Sequence, residues 1–138
     1  MKFLLDNDVF FASIYAGHIH HLTARRWLDS HKKEGWGIAS ETYLSALRLL
    51  MNPAVMGGSP LSSKESLQAV ETELSGEHPG LVYCARKRPD KKLLEKASGH
   101  RQIRDIWLIQ IARETDATLV TFDSGNAKNW PEDILIPT

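Results

Sequence analysis

The stretch Lys2-Phe3-Leu4-Leu5-Asp6-Asn7-Asp8-Val9 decides the fold, because a short apolar run in it ends abruptly at two aspartates. A run of this kind, without polar alternation, predicts a buried β-strand that places Asp6 at its carboxyl end. In an open parallel sheet, ligands bind beyond the carboxyl ends of the strands, because the loops and helix N-termini meet there. Asp6 is therefore the first candidate functional residue.

Comparable apolar runs recur along the chain and predict further strands at Trp36–Ala39, 81–85, 118–122 and 133–136. Strands without polar alternation, separated by helical segments, are typical of a parallel sheet covered by helices on both faces. We therefore expect an α/β fold in which residues 1–138 form a single three-layer α/β/α domain with a mostly parallel sheet. The run at 81–85 is predicted to be a central strand, because it is short, apolar and bounded by breakers.

Two of the predicted helices bear on the site. Residues 40–51 predict a helix capped by Ser40. Three apolar residues of this helix fall on one face at spacings of three and four, namely Leu44, Leu47 and Met51. Residues 103–114 predict a helix that is apolar nearly all round and therefore buried. Asp105 falls in the first turn of that helix, whose N-terminus is expected to open onto the edge that carries Asp6.

The composition is that of an ordinary folded protein and excludes several classes. Of the 138 residues, 42% are hydrophobic and 25% are charged, which argues against disordered, fibrous and membrane proteins. No stretch approaches the roughly 18 apolar residues that a membrane span needs, so no membrane association is expected. The single cysteine, Cys84, cannot form an intramolecular disulfide. The simplest expectation is a cytoplasmic protein.

The charges are balanced overall but unevenly distributed. The chain has 17 basic and 17 acidic residues, yet eight basic and only two acidic residues lie between positions 86 and 104. Such asymmetry is typical of a phosphate-contacting surface, and a merely solvated helix face is the alternative. The candidate RNA-binding residues in this segment are Lys87, Arg88, Lys91, Lys92, Arg101 and Arg104.

Three carboxylates are predicted to converge at one edge of the sheet: Asp6 and Asp123 each follow a predicted strand, and Asp105 opens a buried helix. Crowded negative charges favour a hard divalent cation with oxygen ligands, for which Mg²⁺ or Mn²⁺ is the best match. The alternative is that each aspartate is a cap or turn residue. Asp105 would then stabilise its helix dipole, and Asp123-Ser124-Gly125 would form a turn.

Four ordered motifs resemble the VapC family of PIN-domain toxins, over nearly the whole chain. They are Phe3-Leu4-Leu5-Asp6-Asn7-Asp8-Val9, Leu47-Arg48-Leu49 with Asn52-Pro53, Gly99-His100-Arg101-Gln102-Ile103 leading into Asp105, and Thr121-Phe122-Asp123. The resemblance implies a metal-dependent endoribonuclease, the toxin of a type II toxin–antitoxin system, with an RNA substrate, a cognate protein antitoxin and a homodimeric state.

Carried over by position, the resemblance makes Asp6 and Asp105 the primary metal ligands and Asp123 a further catalytic member of the site. Two positions depart from the family pattern: Asp8 stands where an amide is usual, and Tyr43 stands where many relatives have an acidic residue. Glu41 is the candidate substitute for that acid. The predicted auxiliary residues are Asp8, Glu41, Arg48 and Ser124, with Arg48 expected to pair with an acidic group.

Two rival functions remain at this stage. The sequence Asp6-Asn7-Asp8 after a strand also matches the phosphatases of the haloacid dehalogenase type, in which Asp6 would be a nucleophile and Asp8 an acid. The other rival is a catalytically weak PIN scaffold that binds RNA or protein, which Tyr43 favours. The histidines at 18, 20 and 21 match no metal motif and are predicted to be exposed loop and helix-start residues.

Overall fold

The computed structural model describes residues 1–138, and its framework is a single five-stranded sheet. The strands are β1 (Phe3–Leu5), β2 (Trp36–Ala39), β3 (Leu81–Tyr83), β4 (Thr118–Val120) and β5 (Ile134–Leu135). Their spatial order is β3-β2-β1-β4-β5, and every neighbouring pair is parallel. The predicted parallel α/β sheet is therefore confirmed, with β1 at its centre.

Seven α-helices connect and cover the strands. They are α1 (Asn7–Ile14), α2 (His21–His31), α3 (Ser40–Leu50), α4 (Ser63–Leu74), α5 (Lys91–Leu94), α6 (Gln102–Glu114) and α7 (Ser124–Asn129). A short 3₁₀ turn at Lys32–Glu34 leads from α2 to β2. None of these helices combines the length and the apolar character needed to cross a membrane.

The alternation of β1 side chains divides the core into two layers. Phe3 and Leu5 pack on one face of the sheet with α1, α2, α3 and α4, whereas Leu4 packs on the other face against α6. Helix α6 contributes four fully buried side chains to this second layer, Leu108, Ile109, Ile111 and Ala112. The three-layer α/β/α arrangement and the burial of the predicted apolar helix are both confirmed.

The prediction that 81–85 is a central strand was wrong. Strand β3 pairs only with β2 and forms an edge of the sheet, with Leu81 and Val82 exposed. The apolar composition of the run misled the prediction, because it does not distinguish a buried strand from an edge strand. Strand β1, which pairs with neighbours on both sides, takes the central place.

The face of α3 that carries Leu44 and Met51 points outward, although Leu47 packs against the core. Leu44 is 59% exposed and Met51 43% exposed, whereas the buried positions are Thr42, Ala46 and Leu50. Thr42 donates a 2.6 Å hydrogen bond to Asn7 Oδ1 on α1, which turns that face of α3 inward. Ser40 does not cap α3 as predicted; it is the first helical residue, and the cap position falls on Ala39.

The register of the sheet places the candidate aspartates at one edge. Leu5, the last residue of β1, lies opposite Ile38 of β2 and Val120 of β4. The Asp6 backbone N–H then donates a 3.0 Å hydrogen bond to the Val120 carbonyl, which fixes Asp6 just beyond the strand end. Because the neighbouring strands end at the same level, the residues that follow them face a common opening.

Candidate active-site cleft

An open cleft of about 440 Å³ lies at the carboxyl edge of the sheet, and its lining is mostly polar. Asp6, Asp105 and Asp123 all line it, although the three residues come from β1, α6 and the end of β4. The structure thus brings together the three carboxylates singled out from the sequence. Asp8 lines the same cleft.

Asp6 is buried at the floor of this cleft. One of its oxygens, Oδ1, accepts a 2.8 Å hydrogen bond from the Val9 backbone N–H and caps α1. The pKa of Asp6 is raised from 3.8 to about 7, mainly by burial and also by the nearby Asp8 and Asp105 carboxylates. Thr121 and Val9, as hydrogen-bond donors, partly oppose this rise. A carboxyl group in this setting gains from a cation that neutralises it.

Asp105 lies in the first turn of α6 and is half-buried. Burial raises its pKa above the ordinary value and the Asp123 carboxylate adds to the rise, whereas the side-chain amide of Asn126 and the charge of Arg104 lower it. Asn126 Nδ2 is buried and has no partner at hydrogen-bonding distance. Asn126 itself does not line the cleft.

Asp123 is exposed at the rim and caps α7. Its Oδ1 accepts a 3.1 Å hydrogen bond from the Asn126 backbone N–H, and its own N–H donates to Thr121 Oγ1 at 3.1 Å. The alternative in which the aspartates act as caps is therefore observed for Asp6 and Asp123. In both residues the capping hydrogen bond is accepted by Oδ1, and Asp6 has Thr121 as a further hydrogen-bond donor.

The aspartate carboxylates of the cleft suit a hard divalent cation whose coordination is completed by groups other than the protein. No three His, Cys, Asp or Glu side chains come close enough together to enclose a metal ion by themselves. Mg²⁺ is typically bound through one or two carboxylates, with water and substrate phosphate completing an octahedron of oxygens. An open set of carboxylates, with no sulfur ligand in the cleft, fits that chemistry.

Comparison with known proteins agrees with the motifs and with the site. The PIN domain profile matches residues 3–129, which include all three aspartates. Ribonuclease VapC29 of Mycobacterium tuberculosis is 32% identical over 140 residues, covering 100% of this chain and 98% of the relative. Ribonuclease VapC39 of the same organism is 31% identical over 134 residues, covering 92% of both chains. The chain is a PIN-domain protein of the VapC family. This membership does not favour the phosphatase alternative.

The structure shows where Tyr43 and its candidate substitute Glu41 lie relative to the cleft. Both Glu41 oxygens are occupied, because Oε2 accepts a hydrogen bond from the Trp107 indole on α6 and Oε1 accepts one from Ser40 at 2.9 Å. Glu41 does not line the cleft. The Tyr43 hydroxyl points to α4, where it donates a 2.7 Å hydrogen bond to Glu71. Neither residue adds a carboxylate to the cleft in this structure.

The other auxiliary residues differ in their surroundings. Asp8 Oδ1 accepts a 2.9 Å hydrogen bond from His18 Nε2 at the cleft wall. Ser124 is exposed at the start of α7 and lies outside the lining. The expectation that Arg48 pairs with an acid was wrong: Arg48 is exposed, makes no salt bridge, and shares a shallow depression with Arg104. Its helix turns Thr42, not Arg48, toward the interior.

The basic segment divides into two parts. Arg101 and Arg104, at the N-terminal end of α6, line the PIN cleft. The rest of the segment runs along α6, held by Gln110, whose side chain donates to the Arg88 carbonyl at 3.0 Å and accepts from the Asp90 N–H at 2.9 Å. Four of the predicted RNA-binding residues are therefore exposed but outside the lining, namely Lys87, Arg88, Lys91 and Lys92.

The sequence analysis missed two ring side chains of the cleft. His20 and Phe122 both line it, and their rings are stacked with centroids 4.5 Å apart and planes 27° apart. The run His18-Ile19-His20-His21 was recognised as a histidine cluster, but the sequence did not indicate which residue would stack on His20. The position of Phe122 directly before Asp123 was the available signal, because a residue there lies at the same sheet edge.

Proposed function

We propose that this chain is a VapC-type endoribonuclease that hydrolyses RNA phosphodiester bonds at the cleft, using Mg²⁺ or Mn²⁺ held by Asp6, Asp105 and Asp123. The observation that carries the proposal is the convergence of these three carboxylates, one of them buried with a pKa raised to about 7, at a single open cleft. The relatives that cover nearly the whole chain bear the name ribonuclease, which supports RNA as the substrate.

The residues of the cleft divide the work. Asp6 is rigidly placed by its backbone and side-chain hydrogen bonds, and its carboxylate, with those of Asp105 and Asp123, would hold the cation. When bound, a divalent cation lowers the pKa of water and offsets charge on the transferring phosphoryl group. Arg101 and Arg104 supply positive charge beside the carboxylates, which allows a polyanion to approach an otherwise repulsive site.

We further propose the partners of a toxin. A type II toxin acts on cellular RNA in the cytoplasm and is restrained by a protein antitoxin, and a homodimer is the expected assembly. The outward face of α3 carries two exposed apolar side chains, Leu44 and Met51, which are 59% and 43% exposed. Exposed apolar side chains on one helix face are a feature of surfaces that protein partners cover.

A catalytically weak PIN scaffold that binds RNA is the second candidate. The observation in its favour is that Glu41 is committed to Trp107 and Ser40, while Tyr43 is committed to Glu71. The cleft then has one carboxylate fewer than many relatives, and turnover would be slow rather than absent. Measured turnover separates the two candidates.

The test is cleavage of single-stranded RNA by the purified chain. We expect EDTA to stop cleavage and added Mg²⁺ or Mn²⁺ to restore it, because a divalent cation would lower the pKa of the attacking water and offset charge on the phosphoryl group. Asp105→Asn, which removes a charge at constant volume, should reduce turnover by at least about a hundredfold, in keeping with the loss of a metal-assisted step. Undiminished cleavage in EDTA would overturn the proposed mechanism.

Asp116→Asn is the matched control for this experiment. Asp116 follows the opposite end of α6, is exposed, and makes no side-chain hydrogen bond or salt bridge. Its positive φ of 58° suits asparagine as well as aspartate. We expect this variant to cleave at the rate of the unaltered chain, so that a loss in Asp105→Asn is assigned to the cleft and not to net charge.

A further inference from the structure

The His20–Phe122 pair is a ring stack placed beside the carboxylates. Phe122 is half-buried against the core of the α1–α4 layer, whereas His20 is exposed above it, and both line the cleft that holds Asp6 and Asp105. Phe122 covers one face of the imidazole at 4.5 Å. His20 as a whole remains exposed to solvent.

Besides this stack, the His20 ring lies near only the His18 ring, with centroids 5.8 Å apart and planes inclined at 41°. His20 occupies the cap position of α2 but makes no capping hydrogen bond, and no hydrogen bond involves either of its ring nitrogens. The exposed His20 ring can therefore stack with the flat ring of a ligand.

A hydrogen-bonded chain fixes the position of His20. The His20 backbone N–H donates to His18 Nδ1 at 3.0 Å, so Nδ1 is unprotonated and His18 carries its proton on Nε2, which donates to Asp8 at 2.9 Å. The His18 ring also packs edge-on against Phe11, with centroids 5.9 Å apart. The loop before α2 is thereby held, so that His20 is preorganised above Phe122.

We infer that the His20–Phe122 stack is the platform for a base of the bound RNA strand, next to the phosphate that is cleaved. This inference rests on the proposed ribonuclease function and assigns a base-binding subsite to the same cleft. Bases of single-stranded RNA stack on aromatic side chains, histidine included, while the backbone follows positive charge. Here Arg101 and Arg104 provide that charge within the same lining, so a strand could place its phosphate at the carboxylates and its base on His20.

The experiment uses the full chain with Asp105→Asn to prevent cleavage, and a short single-stranded RNA that contains 2-aminopurine. Stacking of this base on a ring quenches its fluorescence, so a titration reports both affinity and stacking. We expect His20→Ala to remove most of the quenching and to weaken binding at least roughly fivefold, the lower end of the loss found when a stacking ring is replaced by alanine.

Three further variants separate stacking from other roles. His20→Phe retains a flat ring without a titratable nitrogen and should keep the quenching, whereas His20→Gln retains polarity without a ring and should lose it. Ile19→Ala is the matched control, because Ile19 precedes His20 in the same loop, is 89% exposed and does not line the cleft. It should behave as the Asp105→Asn parent.

The possible results distinguish this platform from the function on which it rests. RNA binding with quenching that is unchanged in His20→Ala would overturn the platform and leave the ribonuclease proposal intact. Loss of quenching in Ile19→Ala to the same extent as in His20→Ala would overturn it too, since the effect would then belong to the loop. If the Asp105→Asn parent binds no RNA while remaining folded, both the platform and the proposed substrate are wrong.

Discussion

At the scale of single residues, Asp6 combines a structural and a proposed functional role in one carboxyl group. Its Oδ1 caps α1, its backbone N–H is bonded to β4, and the residue lines the cleft. Burial raises the pKa of Asp6 to about 7 from its ordinary 3.8. Burial makes the ionised form of Asp6 unfavourable, and a bound cation would stabilise that form.

The raised pKa of Asp6 predicts a measurable dependence of stability on pH in EDTA. Between about pH 4 and pH 7 the folded chain keeps a proton that the unfolded chain has lost, so the free energy of unfolding falls as the pH rises through this window and levels off above about pH 7. The loss is on the order of 4 kcal/mol, at 1.36 kcal/mol per pKa unit.

Urea unfolding of the unaltered chain and of Asp6→Asn, from pH 4.5 to pH 8, checks this prediction. The difference in stability between the two should change by several kcal/mol in favour of Asp6→Asn as the pH rises, because asparagine keeps the acceptor for Val9 but has no proton to lose. Parallel curves for the two proteins would show that the Asp6 pKa is ordinary.

At this scale the sequence predicted where the aspartates lie, because their positions at the ends of strands and helices decide it. Asp6 and Asp123 follow strands and Asp105 opens a helix, so their convergence could be foreseen from topology alone. The hydrogen bond of Glu41 to Trp107 could not be foreseen, because Trp107 lies 66 residues away on another layer. The His20–Phe122 stack was missed for the same reason, since a long-range pair of side chains has no local signature.

At the scale of elements, α6 joins the acidic cleft to the basic segment. Asp105 and Arg104 lie in its first turn. Gln110 lies five residues, or about 7.5 Å along the helix axis, beyond Asp105. Its side chain hydrogen-bonds the backbone of the basic segment at Arg88 and Asp90. Positive charge is therefore close to the carboxylates only at the N-terminal end of this helix.

We predict that the two cleft arginines dominate the salt dependence of RNA binding. In the Asp105→Asn background, Arg101→Gln with Arg104→Gln should lower the log-log slope of affinity against salt by roughly 1.4, at about 0.7 per phosphate contact of a single strand. Replacing Lys87, Arg88, Lys91 and Lys92 by glutamine removes twice as much charge but should change the slope less, because these residues lie outside the cleft lining.

Fluorescence anisotropy of a labelled RNA at several salt concentrations measures both slopes. A larger change in the fourfold variant than in the double variant would move the RNA path onto the outer surface of α6. An unchanged slope in both variants would assign the whole basic segment to solvation or to contacts with a protein partner.

Element type was more predictable than element environment. The capping box of Ser62 and Glu65 is present at the start of α4, as the local sequence requires, and β2 spans Trp36–Ala39 as expected. The face that a helix buries depends on what packs against it. On α3, the hydrogen bond of Thr42 to α1 turned a polar position inward and left Leu44 outside.

At the scale of the whole molecule, the parallel sheet is what makes the site. Strands β1 and β4 are neighbours and end at the same level, so residues more than a hundred positions apart in sequence meet at one edge. The fold class followed from apolar strands alternating with helices, but the strand order did not. Composition alone could not show that β1 is central and β3 lies at the edge.

The central claim is that Asp6 and Asp105 belong to one divalent-cation site, and direct binding of Mn²⁺ tests it without RNA or partner. Free Mn²⁺ is followed by electron paramagnetic resonance as the unaltered chain, Asp6→Asn, Asp105→Asn and the control Asp116→Asn are titrated, each shown to be folded by circular dichroism. We predict that Asp6→Asn and Asp105→Asn each bind Mn²⁺ at least roughly tenfold more weakly, the lower end of what a lost ligand or supporting group costs, whereas Asp116→Asn binds as the unaltered chain does. Equal Mn²⁺ affinity in all four proteins would contradict the account.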